Sequence, residues 1–193
     1  MKSLEIKIAI AEQIEEIVAL DELCFAGIWS KAGYLRELES PNSSLFLLWL
    51  TEERKKPKTI SASPRRCAVG IGCLWSIVNE AHITLLGIHP EYRGRGLGML
   101  LFYSLLQDGV GRDLERATLE VNANNYSAIN LYQKFGFKVA GKRRNYYPKT
   151  GEDALILWLN GLNKPEFQQQ LDLWWLQISD RLSPDYVINV GNN

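Results

Sequence analysis

The chain has 193 residues, 46% hydrophobic and 23% charged, which is typical of one ordinary globular domain with room for a short appendage. Its 22 basic and 22 acidic side chains cancel, and this argues against a dedicated nucleic-acid-binding protein. Three cysteines and two histidines exclude a disulfide framework, and none has zinc-ligand spacing, so no metal site is expected.

The cysteines and the hydropathy pattern indicate the cellular compartment of the protein. Free thiols are typical of a reducing environment, and the acidic residues 1–25 do not resemble a signal peptide. No apolar run reaches the roughly 18 residues that a transmembrane helix needs. We therefore expect a cytoplasmic protein without a membrane span.

The first quarter of the chain mixes strands and helices. Residues 4–10 alternate apolar and polar side chains, as a half-buried strand does, and residues 12–25 place apolar side chains on one helical stripe. A second helix is predicted over Lys31–Glu39, because the residue before Pro41 is pushed out of the helical region. The continuous apolar run at 45–50 predicts another strand.

A crossover unit is predicted in the middle of the chain. Residues 68–77 and 81–88 indicate two strands joined by a tight turn near Asn79. A helix from 97 to about 109 follows, and then a short strand at 117–121. The order of strand, helix and strand predicts a parallel, right-handed connection.

The next segment predicts one more helix and a closing pair of strands. The helix covers 125–135, with Gly136 in the position that often ends a helix. Strands at 137–142 and 154–159 flank a loop at 143–153. This pair is expected to close the sheet as a hairpin.

Two stretches are rich in basic side chains. Residues 51–66 carry six of them and two prolines, which indicates a solvated hairpin loop or a docking site for an acidic or RNA-rich partner. Residues 122–151 carry six and no acid, which indicates a solvated face or a surface that steers acidic partners or a phosphate. The latter six are Lys134, Lys138, Lys142, Arg143, Arg144 and Lys149.

Residues 161–193 are predicted to form a helical extension of a domain at 1–160. Pro165 is a good first residue of a helix, and a stripe of apolar side chains follows it. This helix is expected outside the compact unit, where it folds back onto the domain or pairs with a second copy as a homodimer. A membrane-surface role is disfavoured, since its charges are mainly acidic. The stripe consists of Phe167, Leu171, Trp174, Ile178 and Leu182.

Residues 86–99, LGIHPEYRGRGLGM, combine the end of a strand, a glycine-rich turn and the start of a helix. The glycines allow close approach of a ligand, the first N–H groups of the helix lack internal partners, and two arginines add positive charge. These features predict an anion site that suits a pyrophosphate, with a simple tight turn as the alternative. P-loop and Rossmann patterns do not fit, because no Gly-Lys-Ser/Thr follows and Met99 replaces the third glycine.

The spacing Arg93-x-x-Gly96-x-Gly98 resembles the Q/R-x-x-G-x-G/A motif of the GCN5-related N-acetyltransferases (GNAT family), and the resemblance covers about residues 3–160. Three segments are similar to the ribosomal-protein alanine N-acetyltransferases within that family. They are FAGIWS at 25–30, LEVNANNYSAINLYQKFGF at 119–137 and RRNYYP at 143–148.

The resemblance implies an α/β (α+β) fold with a central mixed, mostly antiparallel twisted sheet, a parallel splayed strand pair and flanking helices. It also implies acetyl-CoA as the cosubstrate. Leu86, Gly87 and Ile88 would hold the acetyl group and the pantetheine arm through backbone hydrogen bonds, and Asn125 would contact the cofactor beyond the next strand. The pyrophosphate would lie on Arg93, Gly94, Arg95, Gly96, Leu97, Gly98 and Met99.

By the same resemblance, Glu120 is the general base, Tyr132 is the general acid, and Trp29, Tyr146 and Tyr147 flank a peptide substrate. Apolar neighbours would shield Glu120 from water, as suits a base, and the alternative is an edge-strand glutamate that faces water. Tyr132 lies on the apolar stripe of its helix, so core packing is a second interpretation, compatible with the first.

The implied reaction is direct transfer: the amine attacks the thioester, backbone N–H groups near Ile88 stabilise the oxyanion, and no cysteine acts as nucleophile. Three functions stay open. They are acetylation of a protein N-terminus, with the alanine of a small-subunit ribosomal protein (bS18 type) as leading target, acetylation of lysine or small amines, and non-catalytic acyl-CoA binding. Deprotonation at pH 7 costs roughly 1 kcal/mol for an α-amine and roughly 4.6 kcal/mol for lysine, which favours the first.

Overall fold

The computed structural model describes residues 2–53, 64–148 and 150–190, and within them the chain forms one mixed sheet with helices on both faces. The strands are β1 (Lys2–Ile8), β2 (Ser43–Glu52), β3 (Arg65–Ile77), β4 (Glu80–Ile88), β5 (Arg116–Asn122), β6 (Lys138–Tyr147), β7 (Glu152–Asn160) and β8 (Val187–Val190). The helices are α1 (Ile14–Phe25), α2 (Lys31–Glu39), α3 (Leu97–Gly111), α4 (Tyr126–Lys134) and α5 (Pro165–Leu182).

The strand order across the sheet is β6-β7-β5-β4-β3-β2-β1-β8. Neighbouring strands run antiparallel except for the pairs β4–β5 and β1–β8, which are parallel. The mixed, mostly antiparallel sheet is therefore confirmed, and so is the parallel connection from β4 through α3 to β5. The sequence does not predict β8, because its four residues are too short for a periodic signal.

Both faces of the sheet carry apolar side chains, but the helices cover them unequally. On one face α3, α4 and α5 pack over a large cluster around Phe102. On the other face α1 packs on β3 and β4, and α2 packs on β2, over a smaller cluster around Ile71. Farther along this second face, 42% of the surface of Trp158 on β7 is accessible. We call the part of this face that contains Thr118, Glu120 and Trp158 the open face.

The parallel strands β4 and β5 pair over only four residues each, and the last pair is Ile83 with Leu119. At that point β4 carries an extra residue, Thr84, in its pairing with β3. Such a bulge reverses the side on which the following side chains lie. Ile83 accordingly packs in the large cluster, whereas Leu85 packs in the small one. We call the point where β4 and β5 separate the fork, and it confirms the splayed strand pair.

The C-terminal helix α5 folds back onto the domain, as one of the two interpretations predicted. Its apolar stripe lies inside the large cluster, and Trp174 contacts the rings of Phe135 and Phe167 at centroid distances of 4.7 and 5.7 Å. The expectation that this helix lies outside the compact unit is therefore wrong, because a wide aromatic face is more stable buried than exposed. The division of the chain at residue 160 and the homodimer stay predictions.

The loop predicted at 143–153 is shorter than expected. β6 continues to Tyr147 and β7 begins at Glu152, so Tyr146 and Tyr147 lie in a strand and not in a loop. The strand passes an irregularity at Asn145, which has φ +51° and donates its backbone N–H to the carboxylate of Asp153 at 2.9 Å. That side-chain contact replaces regular pairing, and the sequence pattern does not reveal it.

Three other expectations concern the basic segment at 51–66, the basic residue Lys149 and the membrane span. Glu52 and Arg65 are opposite each other at the open end of the β2–β3 pair, and residues 54–63, the middle of the basic segment, lie outside the described residues. Lys149 lies outside them too. Among the helices of the described segments, none combines the length and the apolar character that crossing a bilayer requires.

If α5 belongs to the core, truncating its central tryptophan must destabilise the whole domain. We expect Trp174→Ala to lower the free energy of unfolding by about 3–5 kcal/mol, because it leaves a cavity beside two aromatic rings. The matched control is Leu173→Ala, one residue away and 52% exposed, which should change stability by less than about 1 kcal/mol. Urea unfolding of both variants checks this. Equal, small effects would show that α5 is not part of the cooperative unit.

Candidate active site

The glycine-rich turn lies between the end of β4 and the start of α3. Gly94 has φ +77° and Gly96 has φ +87°, in the region that residues with side chains rarely adopt. Gly96 is the N-cap of α3, so the free N–H groups of the first helical turn follow it directly. A helix N-terminus of this kind favours an anion. The backbone therefore fits the predicted pyrophosphate site.

The two arginines of this turn are held by its own backbone. Arg93 donates through Nε to the carbonyl oxygen of Ile88 at 3.0 Å, and Arg95 donates through Nη2 to that of Glu91 at 2.9 Å. A third guanidinium comes from α5: a Cβ at Gly96 would lie only 2.9 Å from Nε of Arg181. Sequence reasoning missed Arg181, because nothing local indicates where α5 ends against the domain.

The last residues of β4 extend beyond the fork, where β5 no longer pairs with them. A Cβ at Gly87 would lie 2.6 Å from Cζ of Phe25 in α1, so only glycine fits at this position. On the other side of the strand, a Cβ at Gly98 would lie 3.6 Å from Leu131 and 3.8 Å from Ile88. β4, α3 and α4 thus converge at the predicted pantetheine strand.

Asn125 and Tyr132 are both on α4, at different depths. Asn125 is the N-cap, and its Oδ1 accepts the backbone N–H of Ala128 at 3.1 Å. Tyr132 is buried, with its ring 5.0 Å from that of Phe102, so the core-packing interpretation is confirmed. Burial raises the pKa of Tyr132, so the phenol keeps its proton at neutral pH. Within the described part of the chain, its hydroxyl group has no hydrogen-bond partner, which leaves it available to a ligand.

Glu120 lies on the open face, one residue past the fork. β5 is an interior strand between β4 and β7, and the side chain of Glu120 is only 11% exposed, so the edge-strand alternative is wrong. Oε1 of Glu120 lies 3.1 Å from Nη2 of Arg143, and Oε2 lies 3.2 Å from Nε2 of His82. The carboxylate is therefore held between a guanidinium and an imidazole.

An aromatic row leads from Trp29 to this carboxylate. Trp29 stacks on Trp75 with centroids 5.8 Å apart, and Trp75 stacks on His82 at 6.3 Å. The buried carboxylate of Asp21 accepts the backbone N–H groups of Ile28 and Trp29 at 3.2 and 3.3 Å, which fixes the turn that carries Trp29. The structure thus brings the predicted substrate residue Trp29 to the same face as Glu120.

Tyr146 and Tyr147 approach Glu120 from β6, on the side opposite to Trp29. Their rings are 5.2 Å apart, and the guanidinium of Arg143 lies 5.5 Å from the ring centre of Tyr146. Burial raises the pKa of Tyr147, and the nearby Tyr146 and Glu120 add to this. Arg143 belongs to the basic stretch of the sequence but serves here as a partner of Glu120.

Sequence reasoning missed His82, Trp75 and Arg143. Their signal lies in the register: Trp75 is directly opposite His82 in the β3–β4 pair, and His82 is opposite Thr118 in the β4–β5 pair. Residues opposite each other lie on one face of a sheet. Fixing the turn near Asn79 to the residue would have placed Trp75 opposite His82, whereas Arg143 comes from β6 and has no such signal.

Two of the three cysteines, Cys24 and Cys73, lie in surroundings that keep the thiol protonated. Burial raises the pKa of Cys73 to about 11, and burial also raises the pKa of Cys24 against the opposing effect of Arg93. Both thiols therefore stay protonated at neutral pH. Across residues 2–53, 64–148 and 150–190, no group of three or more His, Cys, Asp and Glu side chains is arranged to hold a metal ion.

Comparison with known proteins identifies the family. The model of the acetyltransferase (GNAT) family matches residues 14–137. The chain belongs to the GNAT family. It is therefore an acetyltransferase, and GNAT acetyltransferases use acetyl-CoA.

Among its relatives, a Bacillus subtilis (strain 168) protein with the name "Putative [ribosomal protein bS18]-alanine N-acetyltransferase" is 34% identical over 149 residues, 77% of this chain and 89% of that protein. The Escherichia coli (strain K12) bS18-alanine N-acetyltransferase is 40% identical over 85 residues, 43% of this chain and 57% of its own length.

Solved structures agree on the fold. The crystal structure of the Escherichia coli ribosomal-protein-S18-alanine N-acetyltransferase has a TM-score of 0.66 and 26% identity, covering 83% of this chain and 94% of that chain. A NatC complex bound to Gag peptide and CoA has the same TM-score at 20% identity, covering 82% and 98%. The GNAT fold is therefore confirmed, and α5 continues beyond the segment that the family model matches.

The conformation of Gly96 provides a direct test of the anion site. We expect Gly96→Ala to weaken CoA binding by roughly fivefold or more, because a left-handed alanine costs about 1–2 kcal/mol and its Cβ meets Arg181. Gly111→Ala is the control, since that Cβ meets nothing within 4 Å and the position lies at the far end of α3. Isothermal titration with CoA measures both. Unchanged affinity in Gly96→Ala would exclude this turn as the phosphate site.

Proposed function

We propose that this protein transfers the acetyl group of acetyl-CoA to the N-terminal α-amine of a protein, with the N-terminal alanine of a bS18-type ribosomal protein as the leading acceptor. The observation that carries the proposal is the position of Glu120, next to the fork and between aromatic side chains from two directions. The names of the relatives add the acceptor. The cytoplasm, where ribosomal proteins are made, is the proposed site of the reaction.

Backbone groups are proposed to hold acetyl-CoA, which supplies an activated thioester carbonyl. Beyond the fork β5 does not pair with Leu86, Gly87 and Ile88, so this edge of β4 can bond the cosubstrate, apart from the carbonyl oxygen of Ile88, which accepts Nε of Arg93. The turn and the first helical residues offer the anion site. Their members are Arg93, Gly94, Arg95, Gly96, Leu97, Gly98 and Met99. Asn125 contributes from α4, since its cap bond uses only Oδ1.

Glu120 is proposed to accept the proton of the attacking amine. The site lies on the open face, where Arg143 contacts Oε1 of Glu120 and Nε2 of His82 lies beside Oε2. An α-amine is the easier acceptor for one carboxylate, because deprotonation at pH 7 costs roughly 1 kcal/mol rather than roughly 4.6 kcal/mol for a lysine. The acceptor class thus agrees with the chemistry of a single base.

Tyr132 is proposed to hydrogen-bond the departing sulfur. Its raised pKa keeps the phenol protonated, so it is a donor over the working pH range. Its ring is fixed by Phe102 and Phe137, so the hydroxyl direction is set by core packing. A buried donor of fixed direction stabilises developing negative charge without a reorganisation cost.

Trp29 and the tyrosines 146 and 147 are proposed to flank the acceptor peptide. Trp29 is anchored by Asp21 and by stacking on Trp75, so it is a rigid wall on the α1 side. Tyr146 and Tyr147 form the wall on the β6 side. A free peptide N-terminus can enter between these walls, where the α-amine meets Glu120.

The acceptor is tested with a peptide that carries both a free N-terminal alanine and an internal lysine. We expect incubation with acetyl-CoA to place the acetyl group on the α-amine, located by tandem mass spectrometry. The same peptide with a blocked N-terminus is the control and should stay unmodified. Acetyl on the lysine alone would replace the proposed acceptor by a side-chain amine, and CoA binding without any product would favour a binding module.

The role of Glu120 is tested by removing only its charge. We expect Glu120→Gln to lower kcat by roughly a hundredfold or more while the affinity for CoA stays unchanged, because the amide cannot take a proton. Glu166→Gln, on the exposed first turn of α5, makes the same chemical change far from the fork and should keep wild-type kinetics. Initial rates and isothermal titration measure the two quantities. Full turnover in Glu120→Gln would remove it from the mechanism.

A further inference from the structure

A row of hydrogen-bonding side chains runs along the open face from Glu80 to Glu120. The hydroxyl of Thr118 donates to Oε1 of Glu80 at 2.8 Å, and Nδ1 of His82 lies 2.9 Å from the same hydroxyl oxygen. Nε2 of His82 then lies 3.2 Å from Oε2 of Glu120. Thr118 is buried, so its hydroxyl depends on these partners.

The bonds of Thr118 determine where the proton on His82 lies. A hydroxyl has one hydrogen, and here it points to Glu80, which Arg116 also contacts at 3.4 Å. A carboxylate in an ion pair is an acceptor only. The oxygen of Thr118 can therefore only accept from His82, so Nδ1 of the ring carries a hydrogen.

The other ring nitrogen of His82 then faces Glu120. In the neutral ring with hydrogen on Nδ1, Nε2 has a lone pair and so does the carboxylate oxygen 3.2 Å away. The contact is attractive only when one proton lies between the two atoms. Nε2 of His82 and Oε2 of Glu120 can therefore share one proton.

We propose that His82 is a positioning residue whose ring is fixed by Thr118 and Glu80, so that Nε2 receives the proton that Glu120 takes from the acceptor amine. The inference rests on the proposed function. The N–H bond of the amine breaks, the proton joins Glu120, an N–H bond forms at Nε2, and Glu120 returns to the carboxylate. The proton then leaves to solvent before the next turnover.

The groups packed around His82 leave Nε2 to Glu120. Carboxylates flank it on two sides, Glu80 at 3.8 Å from Nδ1 and Glu120 at Nε2. The indole of Trp75 stacks on its face, and its own N–H is used by Glu37 at 2.6 Å, so it does not compete for the ring nitrogens. The remaining cations, Arg143 and Arg116, contact the carboxylates and not the ring. His82 is 24% exposed, which leaves a route to water.

The second histidine provides an internal reference. Nδ1 of the half-buried His89 accepts the backbone N–H of Glu91 at 3.3 Å, so its neutral ring carries hydrogen on Nε2. The sequence contains only these two histidines. The structure therefore assigns opposite neutral tautomers to His82 and His89, and two signals suffice to read both.

Nitrogen-15 NMR of the imidazole rings tests the tautomer without any substrate. At about pH 9, where imidazole is neutral, we expect hydrogen on Nδ1 of His82 and on Nε2 of His89, with His89→Gln assigning the signals. Thr118→Val, which is isosteric but has no hydroxyl, should shift His82 toward the Nε2–H form, and Thr118→Ser should not. Hydrogen on Nε2 of His82 in the wild-type protein would overturn the proposal.

The pairing with Glu120 is tested in the same spectra and in the kinetics. Glu120→Gln should change the Nε2 signal of His82 and leave His89 unchanged, and an unchanged His82 signal would overturn the pairing. His82→Gln and Thr118→Val should lower kcat by roughly tenfold to a hundredfold with the KM for acetyl-CoA unchanged, and Thr118→Ser should restore kcat. Wild-type kcat in both would overturn the proton role.

These readouts separate the inference from the proposed function. If no peptide is acetylated but the tautomers and the Glu120→Gln response are as expected, the acceptor is wrong and the His82–Glu120 pair stands. If peptides are acetylated and the tautomer of His82 is reversed, the proposed function stands and the inference is wrong.

Discussion

The short parallel pairing between β4 and β5 is the constraint on which the site depends. The two strands pair only as far as Ile83 and Leu119, and the bulge at Thr84 falls at the same place. Because β4 then leaves β5, its edge keeps free backbone groups, which an interior strand otherwise lacks. Glu120, the next residue of β5, lies at the fork between Arg143 and His82. One irregularity thus creates both the strand edge and the position of Glu120, the proposed base, beside it.

Packing around the fork makes this arrangement rigid. Phe25 lies against Gly87 from one face, and on the other Leu131 and Ile88 both lie beside Gly98. α5 adds support that the sequence pattern does not predict. Its buried apolar stripe belongs to the large cluster, and its last turn places Arg181 against Gly96. The phosphate turn is therefore supported by side chains that are far away in the sequence.

Much of this arrangement could be predicted, because it has a local signal. The glycines and arginines of the turn, the helix after it, and Glu120 within its strand can all be read from short patterns. His82 could not be placed, because its role depends on cross-strand register, which a shift of one residue reverses. Tyr146 and Tyr147 were expected in a loop, since the contact from Asn145 to Asp153 that extends β6 has no pattern of its own. The burial of α5 depends on tertiary contacts, which short sequence patterns do not reveal either.

The two halves of the site differ in how they depend on sequence. In the proposed function main-chain atoms at glycines meet the cosubstrate, so residue identity there matters through conformation and space. The proposed acceptor side is built from side chains, with Trp29 and Trp75 on one wall and Tyr146 on the other. Substitutions on the open face can therefore change which amine is selected while the fork and the turn remain intact. Acceptor choice and cofactor use are separable in this fold, because different atoms of the chain perform them.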